Sequence, residues 1–502
     1  MTSLFDTGPY PPCPPEFNLT AHVLGKADRL SDKIALAVVK PTGAQRWSYG
    51  KLKQSILGCA TGLLDEGLRP GDRMLMRVGN SVEFPVAYLA AIAVGIVPIP
   101  TSAQLTASEV KVLIDITEPT VVLHDGETAC PETVRIIRTN QMTEWYGLPP
   151  AEYDRGDPNR LAYIIFTSGT SGTPRAVCHA HRAIWARGMM FDGWYGLTEA
   201  DRLMHAGAFN WTYTLGTGLL DPWTAGATAV IPAKGVEHAQ IPLLLKRHEA
   251  TIFAAAPGVY RNILKSGALD VPKLRHGLSA GEKLLAAIRS AWHKATGLGV
   301  YEAFGMSECS TFISTVPGTT GLAPESLGHP QSGRRIAILG EDGPVPLGET
   351  GVISVHKSDP GLMLGYLNQP EATASRFQGE WFLTGDLGEM TENKDILYHG
   401  RADDMMNAGG FRVSPLEVEA ALLRHPDIQD IGVTDIEIKA DTRVIAAFYV
   451  ADDTLDTDLL SQFAAAHLAR YKQPRVFRRI AALPRNANNK LMRRALPDQP
   501  AL

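Results

Sequence analysis

The sequence predicts an α/β protein: a large N-terminal domain of parallel-rich sheets flanked by helices, then a small C-terminal α+β cap domain. Three observations lead there. The chain has 502 residues, more than one compact core accommodates, so two or more domains are expected. Over the first half, short apolar runs rich in β-formers alternate with segments of helical spacing, the mark of parallel sheets covered by helices on both faces. A stretch dense in charge and glycine, His399-Gly-Arg-Ala-Asp-Asp-Met-Met-Asn-Ala-Gly-Gly-Phe-Arg-Val-Ser-Pro415, then sets off a helix–strands–helix tail. The expected divisions are 1–400, a linker at 401–404, and 405–502.

Taken in order, Asn18–Arg29 has helical spacing, and Lys33–Val39 and Arg73–Val78 read as strands. Lys51–Glu66 is an amphipathic helix closed by Gly67, with Pro70 and Gly71 beyond it. Ser81–Val94 is a helix with Pro85 in its first turns, where a missing N–H is tolerated. Val97–Pro100 is a strand, and Ala107–Ile116 a helix opened by Thr106 and Glu109 at capping-box spacing. Val121 and Val122 begin the next strand, Leu161–Phe166 is a buried one, and Arg182–Phe191 is a helix. Phe209, Trp211 and Tyr213 lie two apart, which suits one face of a strand, core packing or a pocket wall. Val271–Lys283 is a strand ending in the small-residue turn Ser279-Ala280-Gly281-Glu282-Lys283, and Glu380–Leu387 is an apolar strand ending in Thr384-Gly385-Asp386. In the tail, Ser414 as N-cap and Pro415 at the first helical position open the helix Leu416–Arg424. Ile431–Val450 reads as strands and Asp456–Ala469 as a helix.

Composition narrows the function classes. Hydrophobic residues make up 45% and charged residues 20%, an ordinary soluble balance. A net charge of −5 argues against nucleic acid as the partner of the whole molecule. The five cysteines are scattered, with no CxxC pair, as in a reducing compartment. The Pro-rich N-terminus lacks the pattern of a signal peptide, and the longest apolar segment, Val86–Val97, is too short to span a bilayer. A cytoplasmic protein without a transmembrane segment is expected.

Chemistry concentrates behind the strand Leu161–Phe166. Thr167, Ser168, Gly169, Thr170, Ser171, Gly172 and Thr173 run together, followed by Pro174 and Arg175. Glycines let the backbone approach a ligand, successive N–H groups make an anion-binding concavity, and Arg175 adds a cation. A phosphate chain is the natural guest, although the spacing is not that of a Walker A loop and a surface turn shares the composition. Gly281 and Glu282 stand at the end of a strand, where open α/β sheets take ligands. Within Val300–Ser310, Phe304 offers a ring, Ser307 a hydroxyl, and Glu308 the hard oxygen donor Mg²⁺ prefers. Each of these alone suits an ordinary turn or surface carboxylate. The stretch Arg470–Leu496 is basic.

In combination these segments resemble the AMP-forming adenylating enzymes: acyl-CoA synthetases, peptide-synthetase adenylation domains and firefly luciferase. The hydroxyl-rich loop is similar to that family's Thr-Ser-Gly-Thr-Thr-Gly-x-x-Lys-Gly, with Ser171, Arg175 and Ala176 as departures. YEAFGMSE resembles its Tyr-Gly-x-Thr/Ser-Glu, with Phe304 for tyrosine, and LPRNANNKLMRR its Leu-Pro-Arg-Thr-x-x-Gly-Lys, with Asn489 for glycine. With LTGD and GRADD, five motifs follow the family's order over nearly the whole chain.

The resemblance implies that ATP is bound by Thr167–Thr173, Gly281, Glu282, Phe304, Gly305, Ser307, Asp386 and Arg401, with Asp386 on the ribose. It implies Mg²⁺ on Glu308, and Lys490, Glu308 and Arg175 as the catalytic set. Phe209, Asn210 and Trp211 would line the acyl pocket. The cap would be mobile, swivelling at Asp403, and Gly409, Gly410 and Phe411 would line the coenzyme A channel. The implied reaction joins a small-molecule carboxylic acid to coenzyme A through an acyl-adenylate. Residues 208–230 look most like medium-chain and aryl acyl-CoA synthetases, implying a medium-chain fatty or aromatic acid. An adenylating enzyme that loads a carrier protein, a nucleotide-binding regulator without turnover, and assembly as a homodimer all stay open. Luciferase-type oxygenation has no support in the sequence.

Overall fold

Parallel pairing dominates the two sheets that carry most of the N-terminal half. The computed structural model describes the chain except residues 132–134, 168–173, 266, 268, 324, 403, 409–410, 440–441 and 487–490. Among the described residues, Val97–Pro100, Arg73–Arg77, Val121–His124 and Ile136–Arg138 form an all-parallel four-stranded sheet, in that order. A nine-stranded sheet has a parallel centre: Ile34–Lys40, Thr228–Pro232, Arg202–His205, Ile252–Ala254, His276–Ala280 and Val300–Met306. Its edges, Gly43–Ser48 on one side and Ser310–Ser314 with His329–Pro330 on the other, are antiparallel. The helix Glu83–Ala93 is apolar on nearly every side and buried from Phe84 onward, in the core cluster that also takes in the helix Tyr49–Asp65. Local signals act as the sequence predicts: the Ser48 side chain accepts from Lys51 N–H, and Thr106 and Glu109 complete a reciprocal capping box.

Two further sheets are antiparallel. The hairpin Leu161–Thr167 and Arg175–Ala180 is extended by Gly365–Tyr366. A seven-stranded sheet joins Leu4–Asp6, Arg335–Gly340, Gly351–His356, Trp381–Met390 and Phe377–Gln378, with Gly343–Pro344 and Ile396–Arg401 alongside. The C-terminal part is α+β: Asp430–Lys439 pairs antiparallel with Thr442–Val450, which pairs parallel with Val476–Arg479. The helices Pro415–Leu422 and Thr457–His467 close over this sheet on a core of its own.

Several expected elements end elsewhere. The helix beginning at Leu19 stops at Val23, because Gly25 follows and the chain goes on in turns. The α-helix Arg182–Ala186 gives way at Arg187, whose side chain is drawn to Asp221, and a π-turn, Phe191–Tyr195, buries Trp194 and Tyr195. Phe209, Trp211 and Tyr213 form no strand. Trp211 N–H bonds Ala208 C=O, Leu215 N–H bonds Trp211 C=O, and the segment winds into Thr214–Leu220. The strand at Thr384-Gly385-Asp386 does not end there; its in–out alternation continues, so Trp381–Met390 is one strand. Ser414 makes no side-chain capping bond, although Pro415 opens its helix.

Candidate active site

Thr167 and Arg175 face each other across the mouth of the hairpin, in register. The residues between them, Ser168, Gly169, Thr170, Ser171, Gly172 and Thr173, lie outside the described residues. The Arg175 guanidinium sits 5.2 Å from the ring centre of Tyr366, and the Tyr366 hydroxyl donates to Glu308 Oε1 at 2.9 Å. One tyrosine thus links the cation at the phosphate-loop candidate to the carboxylate at the metal candidate. Burial, and then the Glu308 charge, push the Tyr366 pKa up to about 12, so its proton stays in place at neutral pH. Glu308 is buried and pairs with no lysine or arginine among the described residues.

A divalent cation fits beside this carboxylate. No cluster of three or more His, Cys, Asp or Glu exists among the described residues to cage an ion. A single carboxylate, with phosphate oxygens and water as the other ligands, is how Mg²⁺ is usually held.

Behind Glu308, the Ser307 carbonyl accepts from His179 Nε2 at 2.7 Å. His179 stacks on Tyr163 with ring centres 4.9 Å apart, and burial lowers its pKa to about 4. The ring is therefore neutral at pH 7, with its hydrogen on Nε2 because a carbonyl only accepts. Gly305 is required here: a Cβ would lie 2.0 Å from the carbonyl oxygen of Ser310.

A second cluster forms where Trp381–Met390 pairs with Ile396–Arg401. Asp386 stands opposite Arg401 in register; Arg401 Nη1 donates to Asp386 Oδ2 at 3.2 Å, and the Tyr398 hydroxyl donates to Oδ1 at 2.8 Å. The Tyr398 ring lies 5.5 Å from that of Phe304, so Phe304, Asp386 and Arg401 share one neighbourhood.

Trp211 joins the Gly281–Glu282 turn: a Cβ on Gly281 would be 2.6 Å from its indole, and the φ of 98° there favours glycine independently. Glu282 Oε2 meets Arg485 Nη1 at 3.4 Å, and Arg485 Nη2 meets Asp430 Oδ2 at 3.0 Å. Arg261 joins Asp430 at 2.6 Å. The C-terminal segment that leads to Lys490 is thereby tied down next to the Gly281–Glu282 turn. Lys490 itself, Asp403, Gly409 and Gly410 lie outside the described residues, while Phe411 opens the strand Phe411–Val413.

A cavity lies beneath Met306 and Ser307, walled by Tyr163, His179, Arg187, Thr212, Leu215 and Gly216 among others. Phe209, Asn210 and Trp211 do not line it. Phe209 packs on Phe84 in the core, ring centres 5.7 Å apart, and Asn210 is half-buried.

The comparisons with known proteins bear on this arrangement directly. The AMP-binding enzyme family matches residues 25–367, and the AMP-binding enzyme C-terminal domain matches residues 417–490. The chain belongs to the AMP-binding enzyme family. An uncharacterized acyl–CoA ligase of Bacillus subtilis is 29% identical over 507 residues, spanning 96% of this chain and 95% of the relative. The benzoate–CoA ligase of Thauera aromatica is 29% identical over 487 residues, 90% of each chain. The crystal structure of ATP-bound MatB from Rhodopseudomonas palustris superposes with a TM-score of 0.86 at 28% identity, covering 96% of this chain and 98% of that one.

In this AMP-binding enzyme, sequence reasoning passed over Tyr366, Tyr398, His179, Arg187 and Arg485. Gly365-Tyr366 carries a weak signal, a glycine–aromatic pair ahead of a proline-opened helix. The others act through partners distant in the chain, and nothing in their local sequence marks them.

Proposed function

We propose that this AMP-binding enzyme is an AMP-forming carboxylate–CoA ligase acting on a medium-chain fatty or aromatic carboxylic acid. The observation that carries the reading is the Arg175–Tyr366–Glu308 chain: a cation at the mouth of a hydroxyl-rich hairpin, coupled through one tyrosine to a carboxylate without a cationic partner among the described residues. Such an array suits a polyphosphate, and the relatedness to benzoate–CoA ligase supports the class of acid.

In the first half-reaction a carboxylate oxygen attacks the α-phosphorus of ATP and pyrophosphate leaves, giving an acyl-adenylate. Both reactants are anions, so the protein's task is positioning and charge neutralisation. Thr167–Thr173 and Arg175 hold the phosphates, with the Ser307 hydroxyl beside them. Phe304, Gly305, Gly281 and Glu282 bound the adenine, and Asp386 with Arg401 takes the ribose hydroxyls. Glu308, fixed by Tyr366, would hold Mg²⁺, which when bound supplies positive charge against the phosphates. Lys490 bridges the acid and the α-phosphate as a compact cation on a flexible stem. In the second half-reaction the thiol of coenzyme A attacks the acyl carbon and AMP departs. The cap, 405–502, turns about the linker 401–404 at Asp403 between the two, withdrawing Lys490 and presenting Gly409, Gly410 and Phe411 to the thiol.

Asn210 and Trp211 belong to this reading at the edge of the acid site, where Trp211 borders the adenine turn, whereas Phe209 is committed to the core. No helix of the described residues is long and apolar enough to cross a membrane; we place the enzyme in the cytoplasm, as a monomer or homodimer, which light scattering decides. The test is a panel of short and medium aliphatic acids and benzoates, scored for AMP release with ATP and coenzyme A. AMP release dependent on both an acid and coenzyme A is the expected result. Acid-dependent pyrophosphate exchange without any response to coenzyme A transfers the case to a carrier-protein loader, and no exchange with any acid leaves a nucleotide-binding regulator. Lys490→Ala is expected to abolish pyrophosphate exchange while sparing thioester formation from preformed acyl-adenylate; equal loss of both sinks the division of labour.

A further inference from the structure

The cavity beneath Met306 and Ser307 has apolar sides, including Ile184, Leu215 and Leu220, and among its polar lining residues Arg187 and Ser310 are joined to each other. Arg187 is clasped by Asp221 in a two-point pair, Nε to Oδ1 at 2.8 Å and Nη2 to Oδ2 at 2.6 Å. Nη2 also donates to Tyr195 and Thr217 hydroxyls at 3.1 and 3.3 Å. Burial opposes the charge on Arg187, but the Asp221 carboxylate overrides it, and the cation is held.

A purely structural ion pair accounts for Nε and Nη2. It does not account for Nη1, which carries two hydrogens and meets one acceptor among the described residues, Ser310 Oγ. Nor does it account for Ser310, whose hydroxyl proton has no acceptor among them. Ser310 is also held in the left-handed region, φ 61°, where serine rarely rests. That conformation sits at an irregularity in the pairing of Val300–Met306 with Ser310–Ser314, and it depends on Gly305 lacking a Cβ. A strained serine set against a neutralised arginine, both on the wall of a cavity next to the candidate phosphate residue Ser307, makes a pair of hydrogen-bond donors awaiting an acceptor.

We propose that Arg187 and Ser310 read a neutral hydrogen-bond acceptor, a hydroxyl or carbonyl oxygen, on the part of the acid remote from its reacting carboxylate. Asp221 cancels the arginine charge, so the pair selects a neutral acceptor over a second carboxylate. This rests on the ligase reading above and adds to it the substrate class: a hydroxy or oxo acid in place of a plain hydrocarbon acid. A site whose buried donors are left unpaired by the wrong substrate discriminates strongly against it.

The test compares kcat/KM for AMP release within matched pairs: benzoate against its 3-hydroxy and 4-hydroxy forms, and hexanoate against 6-hydroxyhexanoate. The oxygenated member of at least one pair is expected to be preferred about tenfold or more. Ser310→Gly suits the backbone conformation and removes the hydroxyl, so it tests the donor without backbone strain; the preference is expected to shrink several-fold towards unity. Turnover of these acids without discrimination, or a preference undiminished in Ser310→Gly, overturns the proposal and leaves the ligase reading standing. No AMP release from any acid overturns both.

Discussion

Glu308 and Asp386 are alike in one respect and opposite in another. Each is a buried carboxylate accepting from a tyrosine hydroxyl of another segment, Tyr366 at 2.9 Å and Tyr398 at 2.8 Å. Asp386 also holds the guanidinium of Arg401, whereas Glu308 pairs with no cation among the described residues. Burying a carboxylate without a counter-charge is costly, which is why the proposed function assigns the cation to Glu308. Asp386 has its charge partner before any ligand binds. The difference teaches how two acids of similar burial come to differ electrostatically: one lacks a counter-charge among the described residues, the other has it in Arg401.

The largest effect is expected from Glu308→Gln, which keeps the shape and removes the charge. Acid-dependent ATP–pyrophosphate exchange should fall by about 10²–10³-fold. Asp386→Asn should act mainly on binding: the KM for ATP rises on the order of tenfold and kcat moves less. Steady-state kinetics on the two variants side by side would break the comparison if their kcat and KM changes were interchangeable. The tyrosines sharpen it further. Tyr366→Phe should cost roughly tenfold in exchange rate, because it takes away the donor that fixes Glu308, while Tyr398→Phe should cost only about threefold, because Arg401 still holds Asp386.

The last expected effect is on stability, not on rate, and concerns the histidine behind Glu308. Burial lowers the His179 pKa to about 4 from an ordinary 6.5, so below pH 6.5 the unfolded chain takes up this proton before the folded one. Its share of stability is whole above pH 6.5 and is lost as pH falls towards 4, up to about 3 kcal/mol. Thermal melts at pH 7 and pH 5 should show a drop in melting temperature that is smaller in His179→Gln. An identical drop in the variant assigns it to other groups.

Much of the fold can be read along the chain because its signals are local. The alternation of β-rich runs with helical spacing leads to the parallel sheets, and Thr106 and Glu109 announce a cap that forms. The antiparallel seven-stranded sheet is another matter: Leu4–Asp6 pairs with Arg335–Gly340, and no local pattern joins segments so far apart. The spacing at Phe209, Trp211 and Tyr213 suits a strand face, core packing or a pocket wall alike, and only the fold decides: the Tyr213 hydroxyl donates to Leu278 C=O and Phe209 enters the core. For the candidate site, Glu308, Asp386 and Arg401 stand in short runs whose chemistry is visible residue by residue. Tyr366 and Tyr398 gain their meaning only from the partner they touch, and the donor pair of Arg187 and Ser310 exists only once the cavity has closed around it.

Asp430 shares its carboxylate between Arg261 of the large domain and Arg485 of its own, and Arg485 leans in turn on Glu282. The cap rotation proposed above would have to break this partly solvated ionic seam, while the cap's separate core would stay whole. Dissolved salt would loosen such a seam far more than it disturbs either interior. On the proposed mechanism, a higher ionic strength would therefore shorten the time the lobes stay shut.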